Sequence, residues 1–170
     1  MYLHSRRILL QKGISALLLM LFSTRSIAQN FRDTDFWETL KTLQCDLYVV
    51  EHSSPTYEQL NALAYLHNVL QQHRVTQTHK RFIRNGVQWL NEAAAAHYKK
   101  PYTQLTPQQR QMVLRAIVKE TWGKQWVETI LTYIYEAMLC DPVYGGNGNE
   151  SGWRWLHHVP GKPRPSKALV

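Results

Sequence analysis

The residues best suited to chemistry lie near the C-terminus, in "DPVYGGNGNESGW", Asp141 to Trp153. This stretch holds Gly145, Gly146, Gly148 and Gly152, half of the chain's eight glycines. Its centre, "GNGNES", is one residue short of the G-x-G-x-x-G fingerprint that cradles a dinucleotide pyrophosphate. That chemistry needs a strand running into a tight turn, then a helix whose N-terminal N–H groups meet the phosphates. Here a helical pattern precedes the glycines, Ser151 stands at the third glycine position, and Trp153 and Trp155 come after it. The spacing therefore argues against a nucleotide cofactor. Asn147, Asn149 and Glu150 offer oxygens but lack the Asp-x-Asp-x-Asp-Gly ladder of a calcium loop. His67 and His73 lie six apart, and His157 and His158 are adjacent with no partnered acid, so no zinc ligand set emerges. There is no G-x-S-x-G elbow, no P-loop and no convincing carboxylate pair among acids such as Glu92, Glu120 and Glu136. The expectation is a chain with no catalytic, cofactor-binding or metal-binding residue of its own.

The same loop has features suited to recognition. Glycines permit close backbone approach, and asparagines tolerate left-handed turns. Tyr144, Trp153 and Trp155 add large amphipathic area of the kind that anchors interfaces. These residues allow two readings: a rigid element that docks a partner, or a cap in which the tryptophans cover one end of the fold.

The elements that must position this loop read as helical almost throughout. Phe36, Leu40, Leu43, Leu47 and Val50 recur at three- and four-residue steps. Ser54-Pro55 reads as an N-cap with proline at the first helical position. Leu60, Leu63, Leu66 and Leu70 then form one apolar stripe. Phe82, Ile83, Val87, Leu90 and Ala94 mark a third helix, ended by Lys100-Pro101. Thr106, Pro107 and Gln109 form a capping box before Met112, Val113, Ala116 and Ile117. Gly123 reads as a break or bend. A last helix, near Lys124 to Cys140, carries Trp126, Ile130, Ile134 and Ala137/Met138, and Asp141-Pro142 stops it. The fold class is mostly α: a single bundle of about five helices with an irregular glycine- and aromatic-rich C-terminal segment. The proline-rich tail from about residue 160 should run over a surface or hang free.

The first 28 residues form a separate unit of meaning. A basic start precedes the apolar run "GISALLLMLF", Gly13 to Phe22, and "STRSIAQN" offers a small-x-small cleavage site after Ala28. Ten helical residues span about 15 Å, half of the roughly 30 Å hydrocarbon core, so a signal peptide fits better than an anchor. "SRRILLQK" places Ser5 and the paired Arg6 and Arg7 directly before the run, and Arg25 directly after it. This resembles a twin-arginine signal, which is read by a receptor and carries folded proteins. The domain reading is therefore 1–28 signal peptide and 29–170 mature helical domain, exported to the periplasm. Of the chain's 20 basic residues four lie in the signal, leaving 16 against 12 acidic ones. That modest excess gives no reason to expect nucleic acid as a partner. Two cysteines, Cys45 and Cys140, permit one disulfide in an oxidising compartment or remain as two thiols.

"EAMLCDPVYGGNGNESGWRWLHHVPGKPRP", Glu136 to Pro165, closely resembles the C-terminal signature of the gluconate 2-dehydrogenase subunit 3 family, the gamma chain. The matching positions are Asp141, Pro142, Tyr144, Gly145, Gly146, Asn147, Gly152, Trp153, Pro160 and Gly161. The likeness is looser at "YLHNVL", Tyr65 to Leu70, and at "FIRNGVQWLNEAA", Phe82 to Ala94. The chain departs from the family pattern at "LQCDLYVVEHSSP". The resemblance implies a non-catalytic small subunit that stabilises and co-exports a large flavin-dependent dehydrogenase of sugars or sugar acids. It implies FAD in that large subunit and a multihaem cytochrome c as a third subunit, with membrane contact only through the complex. It also favours docking for the segment from Asp141 to Trp155. The alternative is a free-standing periplasmic helical binding or scaffold protein.

Overall fold

The computed structural model describes residues 33–48 and 52–168. Ser5, Arg6, Arg7, Ala28 and Val50, on which several sequence expectations rest, lie outside the described residues. Among the described residues the secondary structure is helical, with no strand. Five longer helices carry the fold: α1 (Asp33–Leu47), α3 (Ala62–Gln71), α4 (Gln77–Tyr98), α5 (Pro107–Ile117) and α6 (Thr121–Leu139). Two short ones, α2 (Tyr57–Leu60) and α7 (Ser151–Trp155), flank the C-terminal loop, which itself contains 3-10 turns at Pro142–Tyr144 and Gly148–Glu150.

Helix α6 is the hub and packs against α2, α3, α4, α5 and α7. Its stripe of Trp126, Val127, Ile130, Ile134, Ala137 and Met138 is buried, as a 3.6-residue period requires. Facing it are Leu60 and Leu66 from α2 and α3, Ile83, Val87, Leu90 and Ala94 from α4, and Val113 and Ile117 from α5. Phe36, Leu40 and Leu43 of α1 complete one core.

Local chemistry explains the boundaries. Thr106 accepts from Gln109 N at 3.3 Å while Gln109 Oε1 accepts from Thr106 N at 3.0 Å, the expected capping box with Pro107 at the first position. An equivalent box at Thr56 and Gln59, not Ser54-Pro55, starts α2. The cap lies two residues later than expected because Thr56 is followed at the right distance by Gln59, whose amide can reach back. The leucine stripe does not run through one helix. Asn61 adopts φ 53°, closing α2 and opening α3. Helix α4 ends at Tyr98, with Lys99 in the left-handed conformation. Gly123 is no break: it sits inside α6, where a Cβ would lie 2.1 Å from the carbonyl oxygen of Ile117. The break falls just before, at Val118 to Glu120. Met112 is exposed and Leu114 is buried in its place, shifted from the expected face.

One polar network ties α1 to the α4–α5 connection. Asp46 accepts from Arg110 Nε at 2.7 Å, Arg110 Nη2 at 3.0 Å and the Tyr102 hydroxyl at 2.7 Å. Arg110 Nη1 also donates to the Leu105 carbonyl at 2.8 Å. The bidentate pairing is the strong form of a carboxylate–guanidinium contact. The Tyr102 ring is fully buried, and burial pushes its phenol well above the ordinary range.

The disulfide that the cysteine count permits is not formed. Both thiols are free. Cys45 sits on α1 near Glu58 and Lys41, whereas Cys140 packs at the end of α6, its Sγ 3.5 Å from the Ala137 carbonyl oxygen. Burial raises the Cys45 thiol and pushes Cys140 up to about 11, so both are protonated at neutral pH.

Candidate functional site

Helix α6 stops at Cys140, and Asp141 caps the next turn. Its Oδ1 accepts from Val143 N at 3.1 Å, and Pro142 starts a 3-10 turn with its fixed φ. Gly145 then takes φ 94°, a conformation that side chains disfavour, and the chain reverses onto the α2–α3 corner. That corner holds the loop by its backbone. Asn61 Nδ2 donates to the Gly145 carbonyl at 2.8 Å, and Asn68 Nδ2 donates to the Tyr144 carbonyl at 3.2 Å. Ser151 Oγ donates to the Gln59 carbonyl at 3.3 Å.

Asn147 is the keystone of the loop and is fully buried. Its N–H donates to the Leu60 carbonyl at 2.9 Å. Its Nδ2 donates to the Cys140 carbonyl at 2.9 Å, and its Oδ1 accepts from Gly152 N at 2.8 Å. One side chain thus joins the end of α6 to the start of α7. The φ of 48° that this requires is one asparagine tolerates. Close packing continues at Gly152, where a Cβ would lie 2.1 Å from the Met138 carbonyl oxygen.

Trp153 is only 5% exposed. Its indole Nε1 donates to the Leu139 carbonyl at 2.7 Å, satisfying one of the orphan carbonyls at the end of α6. Trp155 is half-buried against the core, and Tyr144 is partly covered. The signature residues Asp141, Pro142, Tyr144, Gly145, Gly146, Asn147, Gly152, Trp153 and Trp155 are thus brought together, but as a clasp that points inward. Gly146 lies buried against Ala137 and the Cys140 sulfur. Of the clasp's partners, Gln59 is marked in the sequence only as half of a capping box and Asn68 only by the loose likeness at Tyr65 to Leu70, and no signal at these or at Asn61 points to the loop. The available signal is asparagine at two places in a helical leucine stripe, where a better helix former would stand if only helicity mattered.

The tail beyond Pro160 is tied to the clasp. Arg164 Nε and Nη2 donate to Asp141 Oδ2 and Oδ1 at 2.9 and 3.2 Å, and Nη1 donates to Glu150 Oε1 at 2.6 Å. The guanidinium also lies 5.1 Å from the centroid of the Trp153 ring, a cation–π arrangement. Hydrogen bonding from Arg164, helped by the Val143 N–H, holds Asp141 below its ordinary value of 3.8. A depressed carboxylate stabilises the fold above its unfolded-state pKa, and that contribution disappears as pH falls through the folded value. The expected result is a loss of clasp stability as pH falls below the ordinary aspartate range, visible in the NMR resonance of the Trp153 indole N–H. In Arg164→Gln that loss should begin at higher pH, since only the Val143 N–H still favours the carboxylate; an unchanged profile would show that another group controls the clasp.

Among the described residues no cluster of three or more histidine, cysteine, aspartate or glutamate side chains could hold a metal ion. His67 packs on Trp37 with ring centroids 5.1 Å apart, and His79 Nε2 is 2.7 Å from the Tyr133 hydroxyl. No described helix is long and apolar enough to cross a membrane.

The family model described as gluconate 2-dehydrogenase subunit 3 matches residues 34–161, the helical core together with the clasp. The chain belongs to that family. It is therefore an accessory subunit of a dehydrogenase complex. No curated protein and no solved structure matches it significantly. The match extends through both sides of the clasp, so the looser upstream resemblance at Tyr65 to Leu70 has a structural counterpart in Asn68 gripping the loop.

Proposed function

We propose that this chain is the non-catalytic gamma subunit of a periplasmic flavin-dependent dehydrogenase of sugars or sugar acids. It stabilises the large subunit and carries it through the twin-arginine route as a folded complex. The observation that carries this reading is the family match across residues 34–161. The paired Arg6 and Arg7 before the apolar run at Gly13 to Phe22 support the export half. In this reading FAD belongs to the large subunit and haem c to a third, cytochrome subunit. This chain contributes folding and docking, no cofactor and no reacting group. Its residues Asp141 to Trp155 shape the docking end.

The test is export of the pair. Changing Arg6 and Arg7 together to lysine should leave both the precursor and the large subunit in the cytoplasm, as fractionation would report. Accumulation of the double variant in the periplasm at the normal level would refute the twin-arginine assignment. A mature chain purified alone with a stoichiometric flavin or haem spectrum would refute its accessory role.

A further inference from the structure

The tail past the clasp is held through one side chain. Gly161 to Lys167 are all exposed, and a Cβ at Gly161 would meet nothing within 4 Å. Among the described residues from Val159 to Ala168, the hydrogen bonds all belong to the Arg164 guanidinium. That group is gripped from three directions. Its Nε and Nη2 meet both oxygens of Asp141, its Nη1 meets Glu150, and its central carbon lies over the Trp153 ring. A planar fork of donors suits such a site. A lysine ammonium is a point charge and lacks the parallel pair of bonds that Asp141 receives here.

The receiving groups are set by bonds in which the tail has no part. Asp141 Oδ1 accepts from Val143 N, the Glu150 N–H donates to the Asn147 carbonyl at 2.8 Å, and the Trp153 indole donates to the Leu139 carbonyl. The Asp141 side chain is 12% exposed and that of Glu150 41%, so Asp141 is the sheltered half of the site and Glu150 the open half. The incoming segment is also restrained. Pro160, Pro163 and Pro165 limit the conformations of the free tail, so less freedom is lost when Arg164 docks. A general acidic patch would require neither the paired bonds nor the aromatic face.

We propose that Asp141, Glu150 and the Trp153 ring form a binding site for an arginine guanidinium, and that Arg164 is its exchangeable ligand in cis. Residues 159–168 are then a strap that enters or leaves the site as one unit. With the strap out, the two carboxylates and the indole face accept an arginine from a proline-flanked segment supplied in trans. The inference is independent of the accessory role, since it concerns only how this chain's own tail is held.

The test uses the mature chain carrying Arg164→Gln, together with the capped peptide Gly-Lys-Pro-Arg-Pro-Ser, the sequence of residues 161–166, as a separate molecule. Circular dichroism confirms the helices, and the NMR resonance of the Trp153 indole N–H reads the site. The peptide should move that resonance in the variant towards its wild-type position. Lysine in place of the peptide's arginine should weaken binding by about tenfold or more, the loss of one charge-assisted bond. Adding Asp141→Asn to the variant should abolish the response, although asparagine can still accept from Val143 N. Wild type should bind the peptide more weakly than Arg164→Gln, because Arg164 competes at the roughly millimolar effective concentration of a short link. No response of Arg164→Gln at about 10 mM peptide, above that effective concentration, would overturn the site. Equal binding of the arginine and lysine peptides would reduce it to an unspecific acidic patch. Equal binding by wild type and Arg164→Gln would show that Arg164 is not its ligand. A wild-type dimer that is lost in Arg164→Gln, as sedimentation would report, would place the tail on a neighbouring copy and overturn its assignment in cis.

Discussion

Replacing Asn147 by alanine is expected to lower the unfolding free energy by about 3–7 kcal/mol. Two groups lose their partners: the buried N–H of Gly152 and the part-buried carbonyl of Cys140. Each such orphan costs about 1–3 kcal/mol. Alanine also tolerates the left-handed backbone at this position less well than asparagine, by about 1 kcal/mol. The sum is a large fraction of the roughly 5–15 kcal/mol that holds a typical domain folded. The loss should be uneven, because the helices keep their own core. Residues 141–155 should open first, seen as hydrogen exchange at Gly152 and Trp153 that outpaces exchange in α4. Asn147→Asp keeps the acceptor toward Gly152 but sets a buried carboxylate oxygen against the Cys140 carbonyl, so at neutral pH it should cost at least as much as alanine. A change of less than about 1 kcal/mol in urea unfolding of Asn147→Ala would show that the clasp relaxes around the gap. The functional consequence runs through Leu139. Its carbonyl partner is Trp153, so a clasp that opens also loosens the end of α6.

The sequence is most legible where local chemistry specifies the structure. The box at Thr106, Pro107 and Gln109 is complete within four residues, and the structure forms it as read. The buried stripe of α6 is set by its period, since Trp126, Ile130, Ile134 and Ala137 leave little choice of face. Expectation and structure part where two local signals compete or where the deciding partner is distant. Ser54-Pro55 and Thr56-x-x-Gln59 both describe a helix start, and the second prevails through its reciprocal bonds. Met112 and Leu114 both border the same stripe, and only packing against α4 and α6 selects between them. The C-terminal segment is legible as a shaped aromatic loop, but not in its direction. Its orientation depends on Leu60, Asn61 and Asn68, roughly eighty residues away in sequence, and no periodicity reports such partners. Trp153, suited to be an outward anchor, instead supports Leu139 and its neighbours. Those neighbours carry no motif. An exposed leucine or valine has no sequence signature that separates it from a core residue.

The second large effect is one that local propensity predicts with the wrong sign. Gly86 lies mid-way along α4, and in an isolated helix alanine there would be worth about 1 kcal/mol of added stability. In the folded chain Gly86→Ala is instead expected to destabilise by about 2–3 kcal/mol. An added Cβ would sit 2.1 Å from Cε2 and Nε1 of Trp126. That ring is fully buried and rigid, and its Nε1 donates to the Ile83 carbonyl at 3.3 Å, so it has no vacant direction in which to retreat. The new methyl must push α4 and α6 apart or expel the indole from its bond. Either response disturbs the contact between the hub helix and the longest helix of the bundle. The expected fall in Tm is about 5–10 °C for a domain of this size. Trp126→Leu alone should cost about 3–5 kcal/mol, because it removes a large buried side chain. With leucine already in place, however, the Gly86→Ala methyl enters space the indole has left. The double variant should therefore be more stable than the two single losses added together, by about 1–3 kcal/mol of coupling energy. Strict additivity would mean that the methyl's penalty comes from elsewhere in α4. A Gly86→Ala variant more stable than wild type would mean that the helices slide apart at little cost, and that close packing of glycine under tryptophan does not hold α4 to α6.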